Sequence, residues 1–145
     1  MKEDLSVTML EATGKKCEFL KTVALELNLK DVEVINDRAE TLAKNPLYRE
    51  KFDICTARAV ARLNTLCEYC MPFVKKGGIF LSYKGDAQEE IIEAKNAVNI
   101  LGGKVKDAYT YNLEDAKRTL ISIEKIKETP IKYPRGNGKE RKSPL

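Results

Sequence analysis

At 145 residues, the chain is long enough to build one hydrophobic core and too short for two. Apolar residues make up 43% of it and charged residues 33%, which excludes a disordered or fibrous protein and favours a globular one. The net charge of +4 permits contact with nucleic acid without requiring it. No apolar run approaches the length of a membrane span and no signal peptide opens the chain, so we expect a cytoplasmic protein without a membrane partner.

Strands and helices are predicted to alternate along the first half of the chain. In chain order, the predicted elements are a strand at Val7–Glu11, a helix at residues 15–28, a strand at residues 31–36, a short helix or turn broken at Pro46, and a strand at residues 51–57. The apolar residues of the first helix recur at helical spacing, which indicates an amphipathic helix. The last of these strands is continuously apolar or small, as is typical of a buried parallel strand.

The second half continues the alternation and ends in two consecutive strands. The predicted elements are a helix at residues 62–74, a turn at 75–78, a strand at 78–84, a helix that begins at Asp86 as its N-cap and ends before Gly102, and strands at 104–113 and 118–126. The polar turn at residues 114–117 predicts that the last two strands form a hairpin.

This order indicates an open α/β sheet with helices on both faces, closed by an antiparallel strand. In such sheets, ligands bind beyond the carboxyl ends of the strands. Charged side chains are predicted to reach that edge from several elements: Glu11, Asp37, Glu40, Arg58, Lys84 and Arg118. Each of them alone is typical of a solvated loop, but their shared edge favours a binding site.

The cysteine spacing and the basic C-terminal stretch do not by themselves require a functional site. Cys67 and Cys70 have C-x-x-C spacing, but the sequence contains no histidine and no second such pair, so a four-ligand zinc site cannot be assembled at the usual spacing. Residues three apart share one helix face, so we interpret the pair as apolar packing with free thiols. The basic residues of the last stretch, 130–145, are explained equally well by a solvated tail and by an arm that contacts phosphates.

With this edge in view, the chain resembles the glucose-inhibited division protein B family over essentially its whole length. The segments that carry the resemblance are MLEATGKKCEFL, VEVINDRAE, FDICTARAVARL, GGIFLSYKG, KRTLISIEK and KYPR…KSPL. No single segment is specific, but six in the right order are. The resemblance implies a Rossmann-like class I methyltransferase that uses S-adenosylmethionine to methylate a guanine at N7 in small-subunit (16S) ribosomal RNA. Its implied partner is this RNA or the assembling ribosomal subunit.

The resemblance also implies which residues would bind the cofactor. Glu11 would accept the ribose hydroxyls, at a position where family members more often carry Asp. Arg38, Ala39 and Glu40 would lie along the adenine, and Arg58 would border the cofactor as well.

The catalytic and RNA-facing residues implied by the resemblance are mostly cations. Arg58, Lys84 and Arg118 would form the catalytic edge. The same three, together with Lys15 and Arg135, would contact the RNA. N7 of guanine already carries a free lone pair, so the transfer needs positioning rather than a general base, and the absence of histidine does not count against it.

The chain departs from the family pattern in its glycines. Family members carry a helical region, a first strand and a glycine-rich G-x-G-x-G loop before the segments matched here, and no G-x-G-x-G occurs in this sequence. We therefore expect a partial methyltransferase domain at residues 1–129, truncated before a central strand, and a basic tail at 130–145. The two strand edges beside the missing strand are expected to favour self-association. Cofactor affinity and activity are expected to be weak.

Two other functions remain open from the sequence. A non-catalytic RNA-binding or interaction module would use the basic edge and tail without a cofactor, and the truncation favours it. A nicotinamide-dependent oxidoreductase would use Glu11 to hold that cofactor's ribose, but it requires a G-x-G-x-x-G loop that the sequence lacks.

Overall fold

The computed structural model describes residues 5–58 and 60–145, which form two compact units, the first ending at Leu42 and the second beginning at Ala43. The strands in the described ranges are β1 Val7–Glu11, β2 Val32–Asn36, β3 Phe52–Arg58, β4 Val74–Lys84, β5 Gly103–Leu113 and β6 Ala116–Lys125. The helices in these ranges are α1 Gly14–Glu26, α2 Ala39–Leu42, α3 Leu63–Cys70, α4 Gln88–Glu93, α5 Lys95–Ile100 and α6 Lys139–Lys142, and a 3-10 turn, Met71–Phe73, follows α3. None of these helices has the length and apolar character needed to cross a bilayer.

The first unit is a β-α-β element. β1 and β2 pair in parallel, from Val7 opposite Val32 to Glu11 opposite Asn36. The connecting helix α1 contacts both strands, and its Cys17 is buried against them. The predicted apolar face of α1 is covered only in part, because Phe19 is 66% exposed. A sheet of two strands offers too little surface to cover the rest of that face.

The second unit is a mixed sheet with strand order β3-β4-β6-β5. β3 and β4 are parallel, whereas β6 runs antiparallel to β4 and β5. The predicted α/β class and the C-terminal hairpin are confirmed. In the described ranges, however, the strands form two sheets rather than one. Among the described residues, β1 and β3 each pair with one strand only and have one edge without a ladder partner.

The core of the second unit lies between one face of its sheet and helices α3 and α5. Phe80, Ile121 and Ile123 on this inner face are fully buried. A Cβ on Gly103 would come within 2.8 Å of the Met71 methyl and 2.9 Å of Ile123, so glycine allows β5 to approach this core. The other face is exposed, and the expectation that β3 is a buried strand was wrong for its outward residues. Ile54 is 55% exposed because the helices of this unit pack on the opposite face.

Several predicted boundaries differ from the structure. The turn expected at residues 75–78 lies within β4 as an irregularity: Phe52 pairs with Val74 and Ile54 with Ile79, so four residues of β4 stand opposite Asp53 alone. The single helix expected after Asp86 is two short helices, α4 and α5, and the backbone N-cap of α4 is Ala87.

A buried lysine at the end of β6, Lys125, contacts Glu50 and the segment that leads into β4. Lys125 is fully buried, and its Nζ donates to the carbonyl oxygens of Met71 at 2.7 Å and Val74 at 3.0 Å. Its charge is paired with Glu50, whose Oε1 lies 2.9 Å from Nζ. Glu50 Oε1 also accepts the backbone N–H of Thr129 at 2.8 Å. One carboxylate therefore neutralises the ammonium and fixes the segment that follows β6.

Arginine contacts hold the rest of the C-terminal segment. The Arg49 guanidinium donates to four backbone carbonyls, those of Ala43, Thr129, Pro130 and Tyr133. The Arg135 guanidinium donates to Glu68 of α3, with its terminal nitrogen 2.8 Å from Oε2. Thr65 Oγ1 of the same helix donates to the carbonyl of Glu140 at 2.8 Å. Residues 129–140 are therefore packed on the second unit by polar contacts, while Lys132, Arg141 and Lys142 are exposed.

The Glu50 pair predicts an acid dependence of stability. Burial opposes ionisation of Glu50, but the Thr129 N–H and the Lys125 ammonium outweigh burial and hold its pKa below the usual 4.5. Because the folded pKa lies below the unfolded one, the stabilisation is fully present at pH values well above the unfolded pKa, and it is lost as the pH falls through the folded pKa. Urea denaturation should therefore show a steeper acid loss of unfolding free energy in the wild type than in Glu50→Gln. Parallel acid slopes for these two proteins would contradict the assignment, and the exposed Glu89→Gln serves as the matched control.

Candidate functional site

The candidate site of the first unit is centred on Glu11 at the end of β1. The backbone N–H of Thr13 donates to Glu11 Oε1 at 2.8 Å, and Lys16 Nζ lies 3.9 Å from Oε2. The hydrogen bond from Thr13 lowers the pKa of Glu11, so the group is an anion at neutral pH. Asn36 Nδ2 donates to the Glu11 carbonyl at 3.0 Å and ties the ends of β1 and β2 together. The carboxylate is thus held in place while it keeps acceptor positions for hydroxyl donors.

The segment predicted to lie along adenine follows β2 at the same edge. Glu11 and Asn36 are register partners, so the residues after Asn36 emerge beside Glu11. Arg38 N–H donates to Asp37 Oδ1 at 2.7 Å, and α2 begins at the next residue. The Glu40 side chain is 15% exposed and lies 3.5 Å from the Arg38 guanidinium. The structure therefore brings Glu11 and the residues after β2, which are predicted to face the cofactor, to one edge of the first unit.

The second unit has a candidate site of its own at the carboxyl end of β3 and β4. Arg58 pairs with Tyr83 in register, and the next residue, Lys84, pairs with Thr119 beside Arg118. The three predicted catalytic cations therefore meet at one edge of the sheet. Arg58 and Arg118 are exposed, and neither has an ion-pair or hydrogen-bond partner among the described residues. Their guanidinium groups are available to a ligand.

Lys84 differs from the two arginines because it is already paired. Its side chain is 12% exposed, and its Nζ lies 2.8 Å from Glu90 Oε2. Nζ also donates to the Ala61 carbonyl, and Glu90 Oε2 accepts the backbone N–H of Leu63 at 2.7 Å. Lys84 therefore fixes the entry into α3 and the position of α4. No sequence pattern distinguishes this pair, because Glu90 is one of several acidic residues in its segment.

The surface beside this pair is acidic. A hollow of about 400 Å³ is lined by Arg62, Asp86, Gln88, Glu89 and Glu90. Three of these five side chains are carboxylates, which do not favour phosphate. A nucleic-acid backbone is therefore better placed over the arginines than over α4.

The two remaining predicted RNA-facing residues lie in different settings. Lys15 is exposed in the first turn of α1. Arg135 is 23% exposed and its guanidinium is engaged by Glu68, which raises the pKa of Arg135 further. Arg135 thus anchors the C-terminal segment, whereas Lys15 remains open to solvent.

Cys67 and Cys70 are buried on α3, as expected for apolar packing. Burial raises the pKa of the Cys67 thiol to about 12, and contact with Cys55 together with burial raises the pKa of the Cys70 thiol as well. Protonated, buried thiols are poor nucleophiles, so the chemistry of the edge does not include them.

The chain matches the family model described as rRNA small subunit methyltransferase G over residues 1–121. The chain belongs to this family. A curated relative named ribosomal RNA small subunit methyltransferase G, from Acetivibrio thermocellus, is 48% identical over 144 residues, covering 98% of this chain and 60% of that relative. The relative of the same name from Staphylococcus epidermidis is 49% identical over 145 residues, with 98% and 60% covered. The chain thus spans about 60% of the length of these family members.

Solved structures place the fold among methyltransferases. A Streptococcus thermophilus rRNA methylase matches with a TM-score of 0.61 at 17% identity, covering 84% of this chain and 74% of that one. The TYW2 protein of M. jannaschii, solved in complex with AdoMet, matches with a TM-score of 0.63 at 14% identity, covering 83% and 58%. At these identities the likeness shows a shared class I fold, in agreement with the family match.

Proposed function

We propose that this chain acts in S-adenosylmethionine-dependent methylation of guanine N7 in small-subunit ribosomal RNA. The observation that carries the proposal is a pair of guanidinium groups, Arg58 and Arg118, that have no partner among the described residues. They lie at the carboxyl end of β3 and β4 in a chain of the methyltransferase G family. We also propose the cytoplasm as its location, because ribosomal subunits are assembled there.

The residues present fit the nucleoside end of the cofactor. Glu11 is an oriented anion with free acceptor positions, as a ribose diol requires. Arg38, Ala39 and Glu40 follow β2 beside it and would border the adenine. When bound, the cofactor supplies the methyl group. The sequence contains no G-x-G-x-G loop for the methionine end, so we expect calorimetry to detect no micromolar binding by the chain alone.

The work left to this chain is positioning. Guanine N7 needs no base to remove a proton, so the reaction depends on holding the purine edge at the methyl carbon. A guanidinium is planar and can donate to O6 and N7 together before reaction, or grip a neighbouring phosphate. We assign this role to Arg58 and Arg118. Lys84, held by Glu90, is assigned the support of the edge rather than direct contact with RNA.

The test uses a hybrid protein. The segment of the Acetivibrio thermocellus relative that this chain does not match is joined to it in the relative's order. With 30S subunits that lack the modification and labelled S-adenosylmethionine, the hybrid should form 7-methylguanine in 16S RNA, read by mass spectrometry of the nucleosides. The chain alone should be at least about 100-fold slower, since the groups around the methionine end are missing. Methyl transfer to another atom, or none by a folded hybrid, would contradict the proposal.

The second candidate is an RNA-binding module without a catalytic role. The strand register of the second unit favours it, because Arg58 and Arg118 lie at one edge of a sheet that forms without a cofactor. Salt-dependent RNA binding by the chain, together with an inactive hybrid, would select this candidate. We also propose that residues 1–129 are a partial methyltransferase domain to which residues 130–145 are appended.

Self-association is proposed as well, through the strand edges of β1 and β3. In the described residues each of these strands is paired on one side only. Unpaired amides and carbonyls at a sheet edge favour pairing with another chain. Sedimentation velocity at increasing protein concentration detects such association directly, and a sedimentation coefficient that stays that of a monomer would contradict it.

A further inference from the structure

Helix α3 is capped by a carboxylate from α4 rather than by a residue of its own. The first amides of a helix have no partner within the helix. Arg62 occupies the N-cap position of α3, and its side chain provides no acceptor for these amides. Glu90 Oε2 instead accepts the backbone N–H of Leu63 at 2.7 Å. The helix dipole also favours a negative charge at this end of α3.

The same carboxylate oxygen holds Lys84, and Lys84 holds the segment that leads into α3. Lys84 Nζ lies 2.8 Å from Glu90 Oε2 and donates to the carbonyl oxygen of Ala61. Both side chains are largely buried, so solvent screens this ion pair less than it screens a pair on the surface. Residues 61–63 are therefore fixed by groups outside the segment, at one backbone carbonyl and one backbone amide.

This segment begins three residues after Arg58. Arg58 is the last residue of β3, and its register partner Tyr83 directly precedes Lys84. The strand pairing therefore fixes the chain at Arg58, and the Lys84–Glu90 pair fixes it again at the entry into α3. Only two residues separate Arg58 from Ala61, so a displacement of Ala61 reaches Arg58 with little slack.

A neighbouring ion pair does not fix the segment in the same way. Arg62 and Glu93 are paired at 2.6 Å, but both side chains are about half exposed. Exposed pairs contribute little, because water competes for both charges. This pair also engages the Arg62 side chain, whereas Lys84 and Glu90 bind backbone groups of the segment.

We propose that Glu90 is a positioning residue for methyl transfer and acts on Arg58 through Lys84 and the backbone of residues 61–63. The inference rests on the proposed function, in which Arg58 orients the guanine, and it adds a residue that touches neither RNA nor cofactor. Without the Glu90 charge, the Lys84 ammonium loses its counter-ion and the hold on Ala61 is loosened. Small displacements of a group that orients the substrate can lower a rate by about 100-fold.

The first measurement is hydrogen–deuterium exchange of the full chain without RNA or cofactor, read by mass spectrometry of peptides that cover residues 60–66. Glu90→Gln keeps an oxygen that can accept the Leu63 N–H, but it removes the charge that pairs with Lys84. Exchange of these amides should rise about tenfold, because a hydrogen bond to a charged group stabilises a contact by about one to two factors of ten. Glu89→Gln changes the neighbouring, exposed carboxylate and should leave exchange unchanged. Equal exchange in the two variants would overturn the inference.

The second measurement is single-turnover methyl transfer to 30S subunits by the hybrid protein. Glu90→Gln should lower the saturated rate about tenfold and leave the half-saturating subunit concentration within about twofold, because it removes no group that contacts RNA. In an Arg58→Ala hybrid, Glu90→Gln should lower the rate by no more than about twofold, since the group that it positions is already gone. A further tenfold loss in that background would show a general structural effect and would refute the positioning role.

These outcomes separate the two proposals. If the wild-type hybrid forms no 7-methylguanine, the proposed function fails, and the role assigned to Glu90 fails with it. If the wild-type hybrid is active and Glu90→Gln transfers methyl groups at the same rate, only the positioning role is refuted. Faster exchange with an unchanged rate would leave Glu90 as a cap of α3 and nothing more.

Discussion

Replacing Lys125 by methionine is expected to lower the free energy of unfolding by about 3 kcal/mol, because it leaves Glu50 with an unpaired charge. The Glu50 side chain is 23% exposed, so water still solvates part of its unpaired charge. The expected loss of unfolding free energy therefore lies at the low end of the range for a broken buried ion pair. The carbonyls of Met71 and Val74 lose their donor at the same time. Burial lowers the pKa of Lys125, which shows that Glu50 only partly compensates for its desolvation.

Urea denaturation at neutral pH measures this effect. Lys127→Met changes an exposed lysine two residues along the chain and should alter the unfolding free energy by less than about 0.5 kcal/mol. Adding Glu50→Gln to Lys125→Met should recover part of the loss, since the orphaned charge is removed. A loss as small as that of the Lys127 control would show that Lys125 is not held by these partners.

Arg58→Ala in the hybrid protein is expected to reduce methyl transfer at least 100-fold while leaving folding unchanged. Arg58 is exposed at the end of β3, and the substitution removes no hydrogen bond or ion pair among the described residues. The expected size is that of removing one positioned donor from a reacting group. Arg58→Lys should recover little, because an ammonium cannot donate to O6 and N7 in the planar fork.

Single-turnover transfer to 30S subunits, with saturating labelled cofactor, measures this effect. Arg141→Ala removes an exposed arginine from α6 and should retain the wild-type rate. Thermal melts of both variants establish that the fold is kept. Full activity of the Arg58→Ala hybrid would remove Arg58 from the proposed site and leave Arg118 to be tested in the same way.

Local pattern was sufficient to predict the strands that line the candidate site. The bounds of β1 were predicted as found, because a short apolar run there is followed at once by polar residues. The hairpin of β5 and β6 followed from two alternating runs around a polar turn. The placement of Arg58, Lys84 and Arg118 at one edge then followed from strand order alone.

Features that depend on tertiary contacts could not be predicted. Lys84 was expected to face the ligand, but the sequence does not reveal that Glu90 lies against its ammonium. The Gly77–Gly78 pair predicts a turn, whereas in the structure β4 continues through it. The four residues between Val74 and Ile79 stand opposite Asp53 alone, so they lie within the strand as an irregularity. The apolar pattern of β3 predicts a strand that is covered on both faces of the sheet. In the structure the helices of the second unit cover one face only, and Ile54 lies on the other.

The contacts of Arg49 bear on the order in which the second unit can form during synthesis. Its guanidinium binds the carbonyl of Ala43, close by in sequence, and carbonyls eighty or more residues further on. Glu68, which is 1% exposed, is paired with Arg135, which lies similarly far along the chain. These hydrogen bonds and this ion pair can form only after the ribosome has translated Arg135. The second unit therefore completes its folding late in synthesis, because it depends on contacts between residues far apart in sequence. A nascent chain stalled before that point would hold a buried carboxylate and an arginine without their partners, and would be a substrate for quality-control proteases.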